Sequence, residues 1–148
     1  MQDSREGWAK LLHDVTMCLS MGGGLGVNYS SIRPSGTPIE RMGGTASGPL
    51  ALMQMVNEIA RHVMAGGRRR SALWGGLNWN HPDIVDFINI KQWSQDIRKM
   101  KAINFEYPAP LDMTNISVII GDLYLKNLAE KDTATCNLHH MICAAMVQ

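Results

Sequence analysis

The residues with the most chemical reach in this 148-residue chain stand in two glycine-framed loops. In GGGLGVNYSSIRPSGTPI, residues 22–39, one arginine, Arg33, is framed by Pro34, Gly36 and Pro38. A guanidinium fork matches the oxygens of a phosphate. A solvated loop arginine fits the same spacing, and the spacing alone favours it. In GGRRRSA, residues 66–72, the adjacent cations Arg68, Arg69 and Arg70 follow Gly66 and Gly67. Such a run binds phosphate or bridges two ligands, and it is often only a solvated face.

The other reactive residue types form no legible centre. His81, His139 and His140 have no second ligand at i+3 or i+4 in a recognisable metal pattern, so structural roles are expected for them. Cys18, Cys136 and Cys143 are odd in number, show no CxxC or Cys/His ligand spacing, and read as buried reduced thiols. No Ser-His-Asp or Cys-His grouping emerges from spacing. The residues therefore predict neither a catalytic centre nor a metal site. GGGLG is not a dinucleotide fingerprint, which must follow a strand and open a helix, and no GKS or GKT makes it a phosphate-binding P-loop.

Composition narrows the partners. Hydrophobic residues make up 45% and charged residues 18%, which argues for a packed core. The net charge of +1 gives no general electrostatic grip on nucleic acid or a membrane surface, so any anion binding must be local. The N-terminal MQDSREGWAK lacks the order of a signal peptide, and no apolar run approaches the ~18 residues of a spanning helix. The expectation is a cytoplasmic protein with neither nucleic acid nor membrane as partner.

The elements that must position these loops alternate. Asp3 or Ser4 can cap a helix on which Trp8, Leu11, Leu12, Val15 and Leu19 recur at helical spacing, closed by the glycines at 22–24. Gly26 to Ile32 reads as a strand with Val27 and Tyr29 on one face. Ser47 or Gly48 caps a second helix, with Pro49 in its first turn and a stripe of Leu52, Met53, Val56, Ile59, Ala60 and Val63. A strand-like stretch follows the arginines, and NHPDIVDFINIKQW predicts a helix capped by Asn80. Residues 94–112 read as irregular because Pro108 and Pro110 interrupt any period. TNISVII predicts a strand and Asp122 can cap the next helix. The order argues for an α/β fold with strands parallel in part, and no linker divides residues 1–148. The last periodic segment, TATCNLHHMICAAMVQ, runs to the final residue without a glycine cap, which predicts a chain cut inside a helix: a fragment or a split-gene product.

Taken together, Asp3-Ser4, GGGLGVNYSSIRPSGTPI, GGTASGP at 43–49, GGRRRSA at 66–72, HPDIVDFI at 81–88 and NISV at 115–118 resemble the large catalytic subunit of ribonucleotide reductases over about residues 3–122. The ASGP form and the HPDI block lean towards the adenosylcobalamin-dependent class II enzymes, and the same segment occurs in class I relatives. The resemblance implies a partial segment of a ten-stranded α/β barrel. It implies an effector site for a dNTP or ATP at Asp3, Ser4, Arg33 and Ile39, with the arginine on phosphate. It also implies a substrate-facing second loop with Gly67, Arg68, Arg69, Arg70 and Ser71, in which Arg69 matches the arginine that reaches the ribonucleotide. Ser71 stands where the family usually has glycine. Gly23 and its neighbours would let substrate approach the backbone.

The family's reaction reduces a ribonucleotide to the 2′-deoxyribonucleotide through a thiyl radical. Its radical cysteine and C-terminal redox pair correspond to positions downstream of residue 148, so no catalytic residue is expected within the chain. The resemblance further implies a homodimer through helices 3–21 and 48–65, a complementing remainder of the subunit, and a thioredoxin-type reductant for the full enzyme. The rival reading is a non-catalytic dNTP-binding regulatory module or a truncated inactive fragment.

Overall fold

The computed structural model describes residues 2–39, 43–63 and 72–147. Helix α1 (Arg5–Ser20) is capped by Ser4, whose Oγ accepts the Gly7 N–H at 3.0 Å. Strand β1 (Gly24–Asn28) leads into a loop and a short antiparallel pair, β2 (Pro38–Ile39) and β3 (Gly44–Thr45). Then follow helix α2 (Gly48–His62), strand β4 (Ala72–Asn78), helices α3 (Ile84–Asn89) and α4 (Gln95–Ile103), strand β5 (Thr114–Ile119), and helices α5 (Asp122–Ala129) and α6 (Thr133–Met146).

The three long strands form one parallel sheet in the order β1-β4-β5, with Leu25 beside Leu73 and Leu73 beside Thr114. That register puts Leu25, Val27, Leu73, Gly75, Leu77, Ile116 and Val118 on one face. This is the face the helices cover. Tyr29, Leu52, Met53, Leu77, Phe87 and Leu111 are at most 1% exposed in the main cluster, and Val15, Leu19, Val56, Ala60 and Leu73 form a second cluster where α1 and α2 cross. The opposite face carries Gly24, Gly26, Asn28, Trp74, Gly76, Asn115 and Ser117, and among the described residues no helix packs on it. Trp74 lies along it: a Cβ on Gly26 would stand 3.3 Å from its ring, and its Nε1 donates to Ser117 Oγ at 3.0 Å. Parallel sheets are normally covered on both faces, so a sheet with helices outside and a bare glycine-rich inner face is the shape of a barrel wall.

The alternation expected from the sequence is present, with four local differences. The first strand covers Gly24–Asn28 rather than Gly26–Ile32, because Ile32 turns back to Tyr29 through an N–H···O bond of 3.0 Å. The helix expected to start after Asn80 starts at Ile84, since His81 and Asp83 are held by other partners. The stretch read as irregular contains α4, whose Ser94 Oγ caps Ile97 N at 3.3 Å. The cysteines are not buried: Cys18 and Cys136 are partly exposed and Cys143 is exposed. No described helix is long and apolar enough to cross a membrane.

Candidate functional site

Asp3 and Arg33, thirty residues apart, meet at the entrance to α1. The Asp3 carboxylate Oδ2 accepts the Arg33 backbone N–H at 3.1 Å and its Nε–H at 2.5 Å, while Arg33 Nη2 donates to the Asp3 carbonyl at 3.2 Å. The ion pair is half-exposed, with 45% of the arginine side chain and 21% of the aspartate side chain accessible. An exposed pair of this kind adds little to stability, and its effect is to orient. The carboxylate takes the Nε edge of the guanidinium and fixes the direction in which its far end points.

Asp3, Ser4, Arg33 and Ile39 all line one cleft of about 430 Å³, together with Arg5, Trp8, Thr45, Ala46 and Ser47. The cleft lies beyond the carboxyl end of β1, between the first turns of α1 and α2. Both helices therefore present their positive N-terminal ends to it. Ser47 makes no capping bond from its side chain, whereas Ser4 Oγ is occupied by the Gly7 N–H. Trp8 sits one turn beyond Ser4 and offers an aromatic wall. The sequence placed it on an apolar stripe, and its spacing from Ser4 was the available signal for a second role.

The loop carrying Arg33 is clamped from behind. His81 Nδ1 accepts the Asp83 N–H at 3.1 Å, so its Nε2 carries the proton and donates to the Ile32 carbonyl at 2.9 Å. Asp83 Oδ2 accepts the Ser35 N–H at 2.9 Å. The HPDI block thus holds the backbone on both sides of Arg33 from residues 7% and 9% exposed. This is the structural role expected for His81. Asp83 was not singled out from the sequence because its acceptor role is towards a backbone N–H, which has no signature in the chain.

Gly48 closes the same corner. It adopts φ +76°, and a Cβ there would stand 2.8 Å from both Asp83 Oδ2 and Ser35 N. Gly48→Ala should lower stability by about 3 kcal/mol, the sum of left-handed strain and the displaced clamp, read as a shift in the urea midpoint. An unchanged midpoint would show that the corner relaxes without loss.

Gly23 lies at the other end of β1. Its N–H donates to the Cys18 carbonyl at 3.0 Å, and a Cβ would stand 2.7 Å from Cys18 Sγ. Gly67, Arg68, Arg69, Arg70 and Ser71 lie outside the described residues. The residues that bracket them, Val63 after α2 and Ala72 at the start of β4, stand at the end of the sheet away from the cleft, because Ala72 pairs with Gly24 at the start of β1. Among the described residues no three metal-ligating side chains converge.

A family model described as ribonucleotide reductase, barrel domain, matches residues 1–142. The chain is 37% identical over 105 residues to a protein of Mycobacterium tuberculosis named vitamin B12-dependent ribonucleoside-diphosphate reductase, covering 71% of this chain and 13% of that protein. It is 33% identical over 130 residues to a protein of the same name from Thermoplasma acidophilum, covering 88% and 15%. The class Id ribonucleotide reductase alpha subunit of Actinobacillus ureae superposes with a TM-score of 0.76 over 97% of this chain and 23% of its own, at 17% identity, which speaks for the fold. The chain spans about one seventh of the length of these curated relatives. The expected fold, a segment of an α/β barrel, holds, and the chain belongs to the ribonucleotide reductase family, as part of its barrel domain.

Proposed function

We propose that this chain supplies the nucleotide-effector site and one wall of the substrate pocket of a ribonucleotide reductase, which converts ribonucleotides to 2′-deoxyribonucleotides by thiyl-radical chemistry. The observation that carries the reading is the cleft: Asp3, Ser4, Arg33 and Ile39, assigned from separate stretches of sequence, line one cavity. A dNTP or ATP would place its phosphates on the far end of the Arg33 guanidinium and on the N-terminal ends of α1 and α2. Its sugar and base would meet Asp3, Ile39 and Trp8. A cleft of about 430 Å³ has room for the sugar and base of a nucleotide, with its phosphates at the rim against Arg33 and the helix ends.

The inner face of the sheet suits the substrate side. Gly24, Gly26 and Gly76 keep side chains away from it, and Trp74 covers part of the resulting floor. On this reading the second loop couples effector to substrate, with Arg69 reaching the ribonucleotide. The α2 helix, about 22 Å long, carries the chain from the cleft to the far end of the sheet. On this reading the loop that reads an effector in one chain's cleft belongs to a second copy, a proposal supported by the positions of Val63 and Ala72 that bracket it. A homodimer through α1 and α2 meets this requirement, and its contact face would include the exposed Met17, Met21 and Met55.

Adenosylcobalamin is the proposed radical source, on the vitamin B12-dependent names of the relatives. When bound it supplies the initiating radical. No residue of this chain is assigned to hold it. A thioredoxin-type protein would supply electrons to the complete subunit, and reduction is a property of that subunit rather than of residues 1–148.

The test is calorimetric titration of the chain with each of the four dNTPs, with oligomeric state followed in parallel. Saturable binding accompanied by dimerisation is the expected result. A well-folded chain that binds none of them, alone and when co-expressed with the remainder of the subunit, would overturn the effector assignment.

A further inference from the structure

Far from the effector cleft, a second constellation lies between β5, α5 and α6. Cys143 Sγ stands 3.6 Å from His139 Nε2, one helical turn earlier, and His139 Nδ1 lies 2.9 Å from the Tyr124 hydroxyl. Tyr124 is 2% exposed and is held edge-on by Trp79, with ring centroids 5.3 Å apart at 63°. Burial first, and the thiols of Cys143 and Cys136 after it, push the Tyr124 hydroxyl above its ordinary pKa, so it stays protonated and keeps a fixed place in the chain of contacts.

These are the parts of an activated thiol. When Nε2 takes the proton of Cys143, the imidazolium Nδ1–H is directed at the Tyr124 oxygen, which holds the ring and spreads its charge. Cys18 is placed differently. Its thiol donates to the Gly24 carbonyl at 3.7 Å.

Both Cys143 and His139 also line a cavity of about 510 Å³, whose walls include Ile116, Val118, Leu128, Ile142 and Met146. Cys143 is exposed, so a reagent can reach it, and the wall beside it is apolar. A base, a positioned nucleophile and an apolar receptacle together select a reagent with a small electrophilic head and an apolar body.

We propose that Cys143 is a modification site, oxidised to the sulfenic acid by organic hydroperoxides, with His139 as its base and Tyr124 as the positioning residue of that base. The thiolate attacks the terminal oxygen of ROOH. An S–O bond forms and the O–O bond breaks. The sulfur is oxidised by two electrons, the peroxide is reduced, and the proton held on His139 passes to the leaving alkoxide, giving Cys–SOH and ROH. The apolar group R lies in the cavity during the attack.

The experiment treats the reduced chain with cumene hydroperoxide or hydrogen peroxide, traps sulfenic acid with dimedone, and maps adducts by mass spectrometry. Cys143 should be labelled at least ten times faster than Cys18 or Cys136, and faster with cumene hydroperoxide than with hydrogen peroxide. His139→Gln, with the melting temperature as a folding control because the ring is partly buried against Tyr124, should bring Cys143 down to the rate of Cys136. Tyr124→Phe should slow it several-fold with the melting temperature as a folding control, and the exposed His140→Gln should leave it unchanged. Equal labelling of the three thiols, or a fast Cys143 in His139→Gln, overturns the assignment. Equal rates with the two peroxides remove the cavity from it.

Discussion

Asp112→Ala should cost the chain about 3–5 kcal/mol of folding free energy, a large share of the stability of a domain this size. The Asp112 side chain is 2% exposed and accepts from Arg61 Nη2 at 2.6 Å, Arg61 Nη1 at 3.0 Å, Lys101 Nζ at 2.5 Å and Asn57 Nδ2 at 3.2 Å. Arg61 and Lys101 are themselves only 9% and 11% exposed. Removing the carboxylate strands two cations with little water to solvate them. Glu58, more than half exposed, compensates Arg61 only partly. Urea unfolding followed by circular dichroism measures the loss, and a midpoint within a few tenths of a kcal/mol of the parent would show that water already solvates the cluster.

The same group sets an acid limit. Burial would raise the Asp112 pKa, but the hydrogen bonds from Arg61, Lys101 and Asn57 outweigh it and hold the carboxyl at about 2 rather than 3.8. The folded-state value is the depressed one, so the unfolded chain binds the proton more readily. The contribution is fully present above pH ~4 and is lost as pH falls from about 4 through 2, amounting to roughly 2 kcal/mol. Asp112→Asn should flatten that part of the stability profile. The cluster also has a positional consequence: Arg61 is in the last turn of α2, and Asn57 Oδ1 accepts the Met113 N–H and the Thr114 hydroxyl at the start of β5. It therefore fixes where the chain leaves α2 towards the arginine-rich loop.

What could be read from the chain, and what could not, divides by the kind of signal. α1 and α2 were legible because Val15 and Leu19 in the first, and Leu52, Met53, Val56 and Ala60 in the second, recur at helical spacing and are buried. β5 was legible as an apolar run. α4 was not, since Gln95, Arg98, Lys99 and Lys101 leave it without a buried residue and it is held by a cap and by polar contacts at its edges. The two-residue strands β2 and β3 fall below any periodic signal. In the site, the spacing around Arg33 alone favoured a solvated loop residue, and only the resemblance paired it with Asp3. The clamp from His81 and Asp83 was hidden because its partners are the backbone atoms of Ile32 and Ser35, and Asp112 was hidden because its donors come from positions 57, 61 and 101. The expectation that no Cys-His grouping emerges from spacing is corrected by the structure: His139 and Cys143, four residues apart on α6, meet at 3.6 Å, and their significance depends on Tyr124 from another helix.

Arg33→Ala should weaken dNTP binding by about a hundredfold, on the proposed reading, while leaving the fold in place. A charge-assisted contact from guanidinium to phosphate contributes about 1.5–3 kcal/mol, which is one to two powers of ten in affinity. The arginine is 45% exposed and its pair with Asp3 is on the surface, so its removal should shift the urea midpoint very little. Asp3→Asn separates two roles that the alanine variant merges. It keeps an oxygen that can accept the Arg33 Nε–H and a hydrogen-bonding group for the sugar or base, but it removes the charge that holds the guanidinium. If Asp3 acts by orienting Arg33, the Asn variant should weaken triphosphates much more than the corresponding nucleosides. If it acts on the sugar or base, the two should weaken alike. Titration of both variants with a dNTP and its nucleoside decides between them. An unchanged affinity in Arg33→Ala would remove the residue from the site and leave the cleft to be explained by the helix N-termini alone.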